Sequence, residues 1–204
     1  MPSFFIPLFS LLLLVSCAPG NHEQQQGEPE AVAGHPPAPM AVFVPDTSIG
    51  PIRLFRTDNV DAFLGEDVMD RLVEDMAELP AAHVLSRDGA QMLTVFFHPG
   101  GYAKAFSEVR VRYTGQPAPL EPMTDVSAFI TESGIRLGMP REAIESLKGL
   151  PDSISGAESI TLHYWVDDFE GSPFLQRYNM PSYYAGYEFK EDTLVRFQFG
   201  FEYP

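Results

Sequence analysis

Residues 182–204 read SYYAGYEFKEDTLVRFQFGFEYP, in which apolar and aromatic residues alternate with polar ones on both sides of Glu191 and Asp192. Such alternation is typical of half-buried β-strands, whose successive side chains point to opposite faces of a sheet. Two polar residues between two such runs indicate a tight turn. This stretch therefore predicts a C-terminal β-hairpin, and with it an antiparallel sheet at the centre of the fold.

Three earlier segments, residues 91–98, 108–114 and 159–167, show the same alternation and extend the predicted sheet. In each strand one set of side chains is predominantly apolar, and we expect this set to face the helices and the core. The inward set is Leu93, Val95, Phe97, Val109, Val111, Tyr113, Ile160, Leu162, Tyr164, Val166, Val195, Phe197, Phe199, Phe201 and Tyr203.

The alternate positions predict an open sheet face that carries aromatic and basic side chains. They are Phe96, His98, Arg110, Arg112, His163, Trp165, Arg196 and Gln198. Because tryptophan and arginine are enriched at binding hot spots, these residues are the candidate site for an anionic or aromatic-tolerant partner, such as an envelope protein or a glycan. In the alternative interpretation, the arginines pair with Glu188 and Glu202 on neighbouring strands and Trp165 packs beneath a loop.

Two segments share an Ile-Arg-Leu start: IRLFRTDNVDAFLGED from Ile52 and IRLGMPREAIESLKGLP from Ile135. Each continues with helix-start signals and a short amphipathic helix, which ends at Gly65 or Gly149. A strand pair follows each segment at nearly the same spacing, which favours a duplicated αβ unit over a coincidence of common elements. An apolar stripe also predicts a further helix over 67–79, ended by Pro80.

These elements predict an α+β fold of two αβ repeats, residues 41–120 and 121–204, with short helices packed on one face of a curved antiparallel sheet. Residues 175–184, LQRYNMPSYY, form a second aromatic stretch. It is either a lid beside the open face or part of the core, with hydrogen-bonded tyrosine hydroxyls.

Phe4 to Val15 form an apolar run that is followed by Ser16 and Cys17, the one cysteine of the chain. A run of about 12 residues is too short for a transmembrane helix, which needs roughly 20, and suits the apolar part of a signal peptide. Residues 1–3 contain no lysine or arginine, which departs from the usual signal pattern. A secretory signal without lipidation and an ordinary buried segment are the alternatives.

The tetrapeptide LVSC, residues 14–17, resembles the lipobox of bacterial lipoproteins, whose cysteine is acylated and becomes the first residue of the mature chain. The resemblance implies a lipoprotein signal peptide over residues 1–16 and a membrane anchor through lipid on Cys17. Ala18 stands where some lipoproteins retained at the inner membrane have aspartate. The resemblance thus implies a location in the bacterial cell envelope, at the outer membrane rather than the inner.

The segment GIRLGMPREAIESLKGLP, followed by antiparallel strands, is similar to α+β domains of the SmpA/OmlA and beta-lactamase-inhibitor-protein (BLIP) type. The matching residues are Gly134, Ile135, Leu137, Gly138, Met139, Glu142, Ile144, Leu147 and Gly149. In the first half, Phe55 stands where the motif has glycine. The C-terminal stretch also resembles uncharacterised lipoproteins of Bacteroidetes-type bacteria. These resemblances imply a binding or assembly domain and no family active site.

Residues 18–40 are rich in proline, glutamine, glutamate, glycine and alanine and contain no aromatic residue. Such a composition cannot bury enough surface to fold, so residues 17–40 are predicted to be the lipidated cysteine and a disordered tether. The chain carries 28 acidic and 13 basic residues, a net charge of −15. This charge argues against nucleic acid as a partner, because nucleic-acid binding needs a basic surface.

The sequence contains no recognisable catalytic motif. His98-Pro99-Gly100-Gly101 fits a glycine turn better than an esterase oxyanion loop, and Asp167, Asp168 and Glu170 fit an acidic turn better than a cation site. We expect no metal and no cofactor. The predicted function is that of a lipid-anchored, non-catalytic envelope protein that binds a protein partner or stabilises an assembly through its open sheet face. The alternative is an envelope enzyme, or a carrier of a small ligand or glycan, that uses the concave sheet face.

Overall fold

The computed structural model describes residues 42–73, 79–97, 105–115 and 123–202. The predicted signal peptide, Cys17 and the tether lie outside the described residues, as do His98 and Tyr203. The described residues form short helices and a large antiparallel sheet, so the predicted α+β class is confirmed. None of the described helices is long and apolar enough to cross a membrane.

The elements follow one another in an order that alternates strands with short helical segments. The strands are β1 (Ser48–Ile49), β2 (Ile52–Arg53), β3 (Ala81–Leu85), β4 (Gln91–Phe97), β5 (Phe106–Tyr113), β6 (Ser153–Ser155), β7 (Ile160–Val166), β8 (Ser182–Lys190) and β9 (Thr193–Glu202). The helices are α1 (Val60–Leu64), α2 (Arg141–Lys148) and α3 (Pro173–Tyr178), with a 3₁₀ turn at Val68–Arg71.

Strands β3 to β9 form one sheet in the order β3-β4-β5-β9-β8-β7-β6, and every neighbouring pair is antiparallel. The predicted C-terminal hairpin is confirmed as β8 and β9. Its turn residues Glu191 and Asp192 have φ values of 49° and 62°, and left-handed conformations at both positions match the twist of the paired strands. The last strand of each half, β5 or β9, lies at the centre of the sheet, where the two strands pair with each other.

One face of this sheet is the core. The buried strand residues include Leu93, Val95, Val109, Val111, Leu162, Tyr164, Phe197, Phe199 and Phe201. Val60 of α1, Ile144 of α2 and Leu175 of α3 belong to the same cluster, so the helices cover the inward face. Two of the residues expected to face inward, Tyr113 and Val195, are not fully buried. Tyr113, at the end of β5, is 41 % exposed. A register shift between β8 and β9 buries Leu194 and leaves Val195 half-buried.

The predicted helix over 67–79 is wrong at its start. Only a 3₁₀ turn forms, and Leu72 already has an extended backbone. Val73 then exchanges two backbone hydrogen bonds with Ala81, of 2.8 and 3.0 Å, and so extends the sheet edge. Residues 74–78 lie outside the described residues. The apolar stripe was misread because the pairing with β3 supplies partners that a local helical pattern cannot reveal.

The two Ile-Arg-Leu segments meet the sheet with the same local geometry. Phe55 and Gly138, which follow the tripeptides, have φ values of 55° and 86°. The N–H of Phe55 donates to the carbonyl of Phe106, near the start of β5, and the N–H of Gly138 donates to the carbonyl of Leu194, near the start of β9. Each of these hydrogen bonds has a length of 2.9 Å. The helices that follow end at the predicted glycines, whose N–H groups bond to carbonyls four residues back.

Candidate binding face

The residues predicted for the open face occupy adjacent rows across the sheet. Strand register places His83, Thr94, Arg110, Gln198, Gly186 and His163 in the middle row. One flanking row holds Met92, Arg112, Arg196, Glu188 and Thr161. The other holds Phe96, Glu108, Gly200, Tyr184 and Trp165. Together these three rows extend across six strands, β3, β4, β5, β9, β8 and β7, and all of them lie on the side of the sheet opposite the core. We call this side the open face.

Arg112 of β5 lies directly opposite Arg196 of β9 on this face. Arg196 is offset on its other side by Glu188, with a guanidinium–carboxylate distance of 3.7 Å. Arg112 donates only to the sulfur of Met92 and to the carbonyl of Tyr113, and no carboxylate of the described residues pairs with it. Like charges directly opposite on a sheet destabilise it, and within the described part of the chain no carboxylate balances the charge of Arg112.

Gln198 is held in one orientation by the two arginines beside it. Its Oε1 accepts from Nε of Arg110 at 3.2 Å and from Nη2 of Arg196 at 3.0 Å. With the oxygen engaged, the amide nitrogen Nε2 turns toward Gly186, where it lies 3.9 Å from the place that a Cβ would occupy. The amide group of Gln198 therefore presents its donors to the space above Gly186.

That space is a shallow depression of ≈ 180 Å³. It is lined by Thr161, His163, Gly186, Glu188, Arg196 and Gln198. An aromatic shelf borders it, because the indole of Trp165 stacks on the imidazole of His163 with 5.4 Å between ring centroids and 8° between planes. Trp165 is 40 % exposed. The depression therefore has both hydrogen-bond donors and acceptors in its lining, next to an accessible aromatic ring.

In the second flanking row, Glu108 and Tyr184 are already occupied by interactions within the protein. Glu108 pairs with Arg110 at 3.7 Å and accepts a hydrogen bond from the hydroxyl of Tyr184. Burial, together with the charge and hydrogen bond of Glu108, raises the pKa of Tyr184 well above its usual value. Tyr184 reaches Glu108 across Gly200, whose absent side chain leaves that path open. The accessible part of the face is therefore centred on Arg112, Arg196 and the depression.

The structure brings together most of the predicted site residues. Arg110, Arg112, His163, Trp165, Arg196 and Gln198 share the open face. Phe96 is on the same face but only 2 % exposed, its β4 neighbours Met92 and Thr94 are also buried, and the guanidinium of Arg110 lies over the Phe96 ring at 4.6 Å. His98 lies outside the described residues. Of the two expected acidic partners, Glu188 pairs with Arg196, whereas Glu202 accepts a hydrogen bond from Ser182 at 3.0 Å.

Sequence reasoning missed Gly186, Thr161 and Glu188 as lining residues. A glycine in the interior of a strand signals close approach or open space, and Gly186 in SYYAGYEFK was that signal. The aromatic stretch over 175–184 forms parts of α3 and β8 rather than a lid. Tyr178 packs on Phe201 on the core side, the buried Tyr183 donates its hydroxyl to the carbonyl of Asp46, and Tyr184 lies on the open face.

Comparison of the chain with protein-family models, with curated proteins and with solved structures gives no match.

Proposed function

We propose that this protein is a lipid-anchored, non-catalytic component of the bacterial cell envelope whose open face binds another envelope protein. The observation that carries the proposal is the pair of arginines, Arg112 and Arg196, directly opposite each other on the open face. The exposed Trp165 lies on the same face, in the opposite flanking row. This arrangement concentrates positive charge and aromatic surface on one face of a chain with a net charge of −15.

An acidic segment of the partner fits this face by charge. Arg112 has no carboxylate partner among the described residues, and a carboxylate between Arg112 and Arg196 would convert a repulsive pair into an attractive cluster. Arginine suits this role because its planar guanidinium binds carboxylates through paired hydrogen bonds. Tryptophan and arginine are also the residues that most often carry binding energy at interfaces.

The shape of the face supports protein binding over the alternative of an enzyme or a small-ligand carrier. Small-molecule sites are usually concave, mostly apolar cavities that bury most of their ligand. The depression above Gly186 is shallow, small and lined by polar side chains. A protein surface that covers the whole face would bury far more area than any ligand confined to the depression.

The proposed anchor is lipid on Cys17, joined to the folded part by a tether that extends to residue 40. Membrane attachment through several acyl chains is stable, whereas a single chain binds only marginally. A tethered domain meets other proteins of the same membrane at a raised effective concentration. Anchorage at the outer membrane would thus favour partners that are themselves envelope proteins.

We also propose that the fold consists of two αβ repeats, residues 41–120 and 121–204, arranged around one curved sheet. The support is that equivalent parts recur: the positive φ of Phe55 and Gly138, the bonds from these residues to β5 and β9, and the glycine helix ends. In this arrangement Arg110 and Gln198, which are register partners, lie where the two halves meet.

Site-directed photo-crosslinking in the native host tests the proposed function. A photoreactive aromatic amino acid is placed at Ser153, which is the open-face register partner of His163. The control position is Leu150, which is exposed and lies after α2, outside the sheet. We expect one protein adduct of defined mass from Ser153 and none of that mass from Leu150. The adduct should disappear with Arg112→Glu and persist with Arg136→Glu, a charge reversal at an exposed residue outside the sheet.

Equal adducts from both positions, or an adduct that survives Arg112→Glu, would overturn the proposal. The anchor is tested separately with Cys17→Ser, which should lose its attachment to the membrane in a membrane fractionation experiment.

A further inference from the structure

We infer that the depression above Gly186 is an anchor pocket for a single carboxylate side chain of the acidic segment, and that an apolar side chain two residues away rests on Trp165. This inference rests on the proposed function, because it assigns the chemistry of the partner at the same face. It specifies a partner segment with the pattern acidic–any–apolar in an extended conformation.

The pocket supplies directed donors for a carboxylate. The amide nitrogen of Gln198 faces the depression because its oxygen already accepts from Arg110 and Arg196. Arg196 lines the same space and is bound to Glu188 only at 3.7 Å, which leaves guanidinium hydrogens available. A carboxylate above Gly186 therefore meets a fixed amide donor and a cationic donor, and hydrogen bonds to charged groups are the stronger class.

Charge balance on the open face favours a single ligand carboxylate. Arg110 is offset by Glu108 and Arg196 by Glu188, each at 3.7 Å. Arg112, which lies outside the pocket lining, is the member of the arginine group that no described carboxylate offsets, so these described side chains carry one net positive charge. One ligand carboxylate brings them to neutrality.

The spacing of the face favours an extended peptide. Trp165 is two residues from His163 along β7, and His163 is the register partner of Gly186. Residues two apart in a strand are separated by about 6.7 Å, at a rise of about 3.3 Å per residue. Gly186 on β8 and Trp165 on β7 are therefore diagonal neighbours, roughly 7–8 Å apart. An extended segment that lies over both strands thus places one side chain above Gly186 and the next but one near the indole. A sugar acid lacks this period, and one face of the indole is already covered by His163.

The test uses two blocked pentapeptides, acetyl-GEGLG-amide and its glutamine counterpart acetyl-GQGLG-amide, titrated into the isotope-labelled full-length lipidated protein in detergent micelles. Chemical shifts of the Gly186 amide and of the Gln198 side-chain NH₂ report on the pocket directly. We expect both signals to shift with the glutamate peptide, and the glutamine peptide to bind roughly tenfold more weakly, since it loses the charge-assisted hydrogen bonds.

Gly186→Ala supplies the decisive variant. A Cβ at this position would lie 3.6 Å from Cγ of Gln198 and 3.9 Å from Thr161, which is ordinary contact, so the fold should accept it while the methyl group occupies the floor of the pocket beside the Gln198 amide. We expect affinity for the glutamate peptide to fall roughly tenfold or more. Gly115→Ala is the matched control, because a Cβ there meets nothing within 4 Å, and its affinity should be unchanged.

Unchanged binding to Gly186→Ala, equal binding of the glutamate and glutamine peptides, or tighter binding of a glucuronic-acid disaccharide would overturn the pocket assignment. The two proposals fail in different ways. A crosslinked adduct that is lost with Arg112→Glu but kept with Gly186→Ala would remove the pocket and leave the protein-binding function. Peptide binding at Gly186 without any adduct from Ser153 would remove the function and leave the pocket.

Discussion

Lys148 and Asp46 form an ion pair of 2.9 Å in which both side chains are only 1 % exposed. The ammonium group of Lys148 also donates to the carbonyl of Val44 at 2.6 Å. Asp46 accepts from the backbone N–H and hydroxyl of Ser133, and its carbonyl accepts from the hydroxyl of Tyr183 at 2.6 Å. The end of α2 is therefore fastened to residues 44–46, the part of the folded chain nearest to the predicted tether.

Breaking this pair from either side should destabilise the protein strongly. Asp46→Ala leaves a buried ammonium without its counter-ion, and Lys148→Met leaves a buried carboxylate. Each change is expected to lower the free energy of unfolding by roughly 3–5 kcal/mol, the usual cost of an uncompensated buried charge. Urea denaturation of the single and double variants measures this, and a double-mutant cycle gives the coupling energy between the two residues.

The matched control is the ion pair between Arg141 and Glu145 in the same helix. Its distance is 2.8 Å, but the side chains are 30 % and 28 % exposed. Arg141→Ala should cost less than about 1 kcal/mol, because a helical ion pair that remains in contact with water contributes little. Similar losses for Arg141→Ala and Lys148→Met would show that burial does not set the strength of the Lys148 pair.

Arg112→Glu should stabilise the fold while it abolishes partner binding. The substituted carboxylate would lie directly opposite Arg196, so a repulsive cross-strand pair becomes an attractive one worth roughly 0.5 kcal/mol. The urea midpoint should rise relative to Arg136→Glu, which changes the net charge equally. The difference should shrink at 1 M salt, since screening weakens exposed pairs. A lower midpoint for Arg112→Glu would indicate that Arg112 is already compensated.

The alternation of side chains was enough to predict which residues share a face, because the strand period of two depends only on local sequence. That reasoning correctly grouped Arg110, Arg112 and Arg196. It could not reveal that Arg112 faces Arg196, since the pairing of β5 with β9 joins residues far apart in the chain. The misread helix after Asp67 has a more local cause, because the bridge from Val73 to Ala81 at the start of β3 overrides the apolar pattern.

The two glycines of the open face should differ in how well they tolerate alanine. A Cβ at Gly200 would lie 2.6 Å from both the Cα of Glu108 and the carbonyl oxygen of Ser107, so β5 would have to move. Gly200→Ala should destabilise by roughly 1–3 kcal/mol, as overpacked sites do. Gly186→Ala has room and should change stability by less than about 1 kcal/mol. Thermal unfolding of both variants checks this. Equal melting temperatures would mean that β5 and β9 are less closely packed at Gly200 than the structure indicates.

The buried tyrosines predict a loss of stability at alkaline pH. Burial raises the pKa of Tyr164 to about 12, and it raises the pKa values of Tyr183 and Tyr187 well above the usual value for tyrosine. An unfolded tyrosine ionises near pH 10, so above that pH the unfolded chain releases protons that the folded one retains. The stabilisation is therefore complete below pH 10 and declines progressively from pH 10 to 12.

Tyr164→Phe loses the hydrogen bond to the carbonyl of Gly149, which should cost about 1 kcal/mol at neutral pH. Its stability should nevertheless fall less steeply than that of the wild type from pH 10 to 12. Urea denaturation across this range, with phenolate absorbance followed in parallel, measures both effects, and identical slopes for the two proteins would show that Tyr164 ionises normally in the folded state.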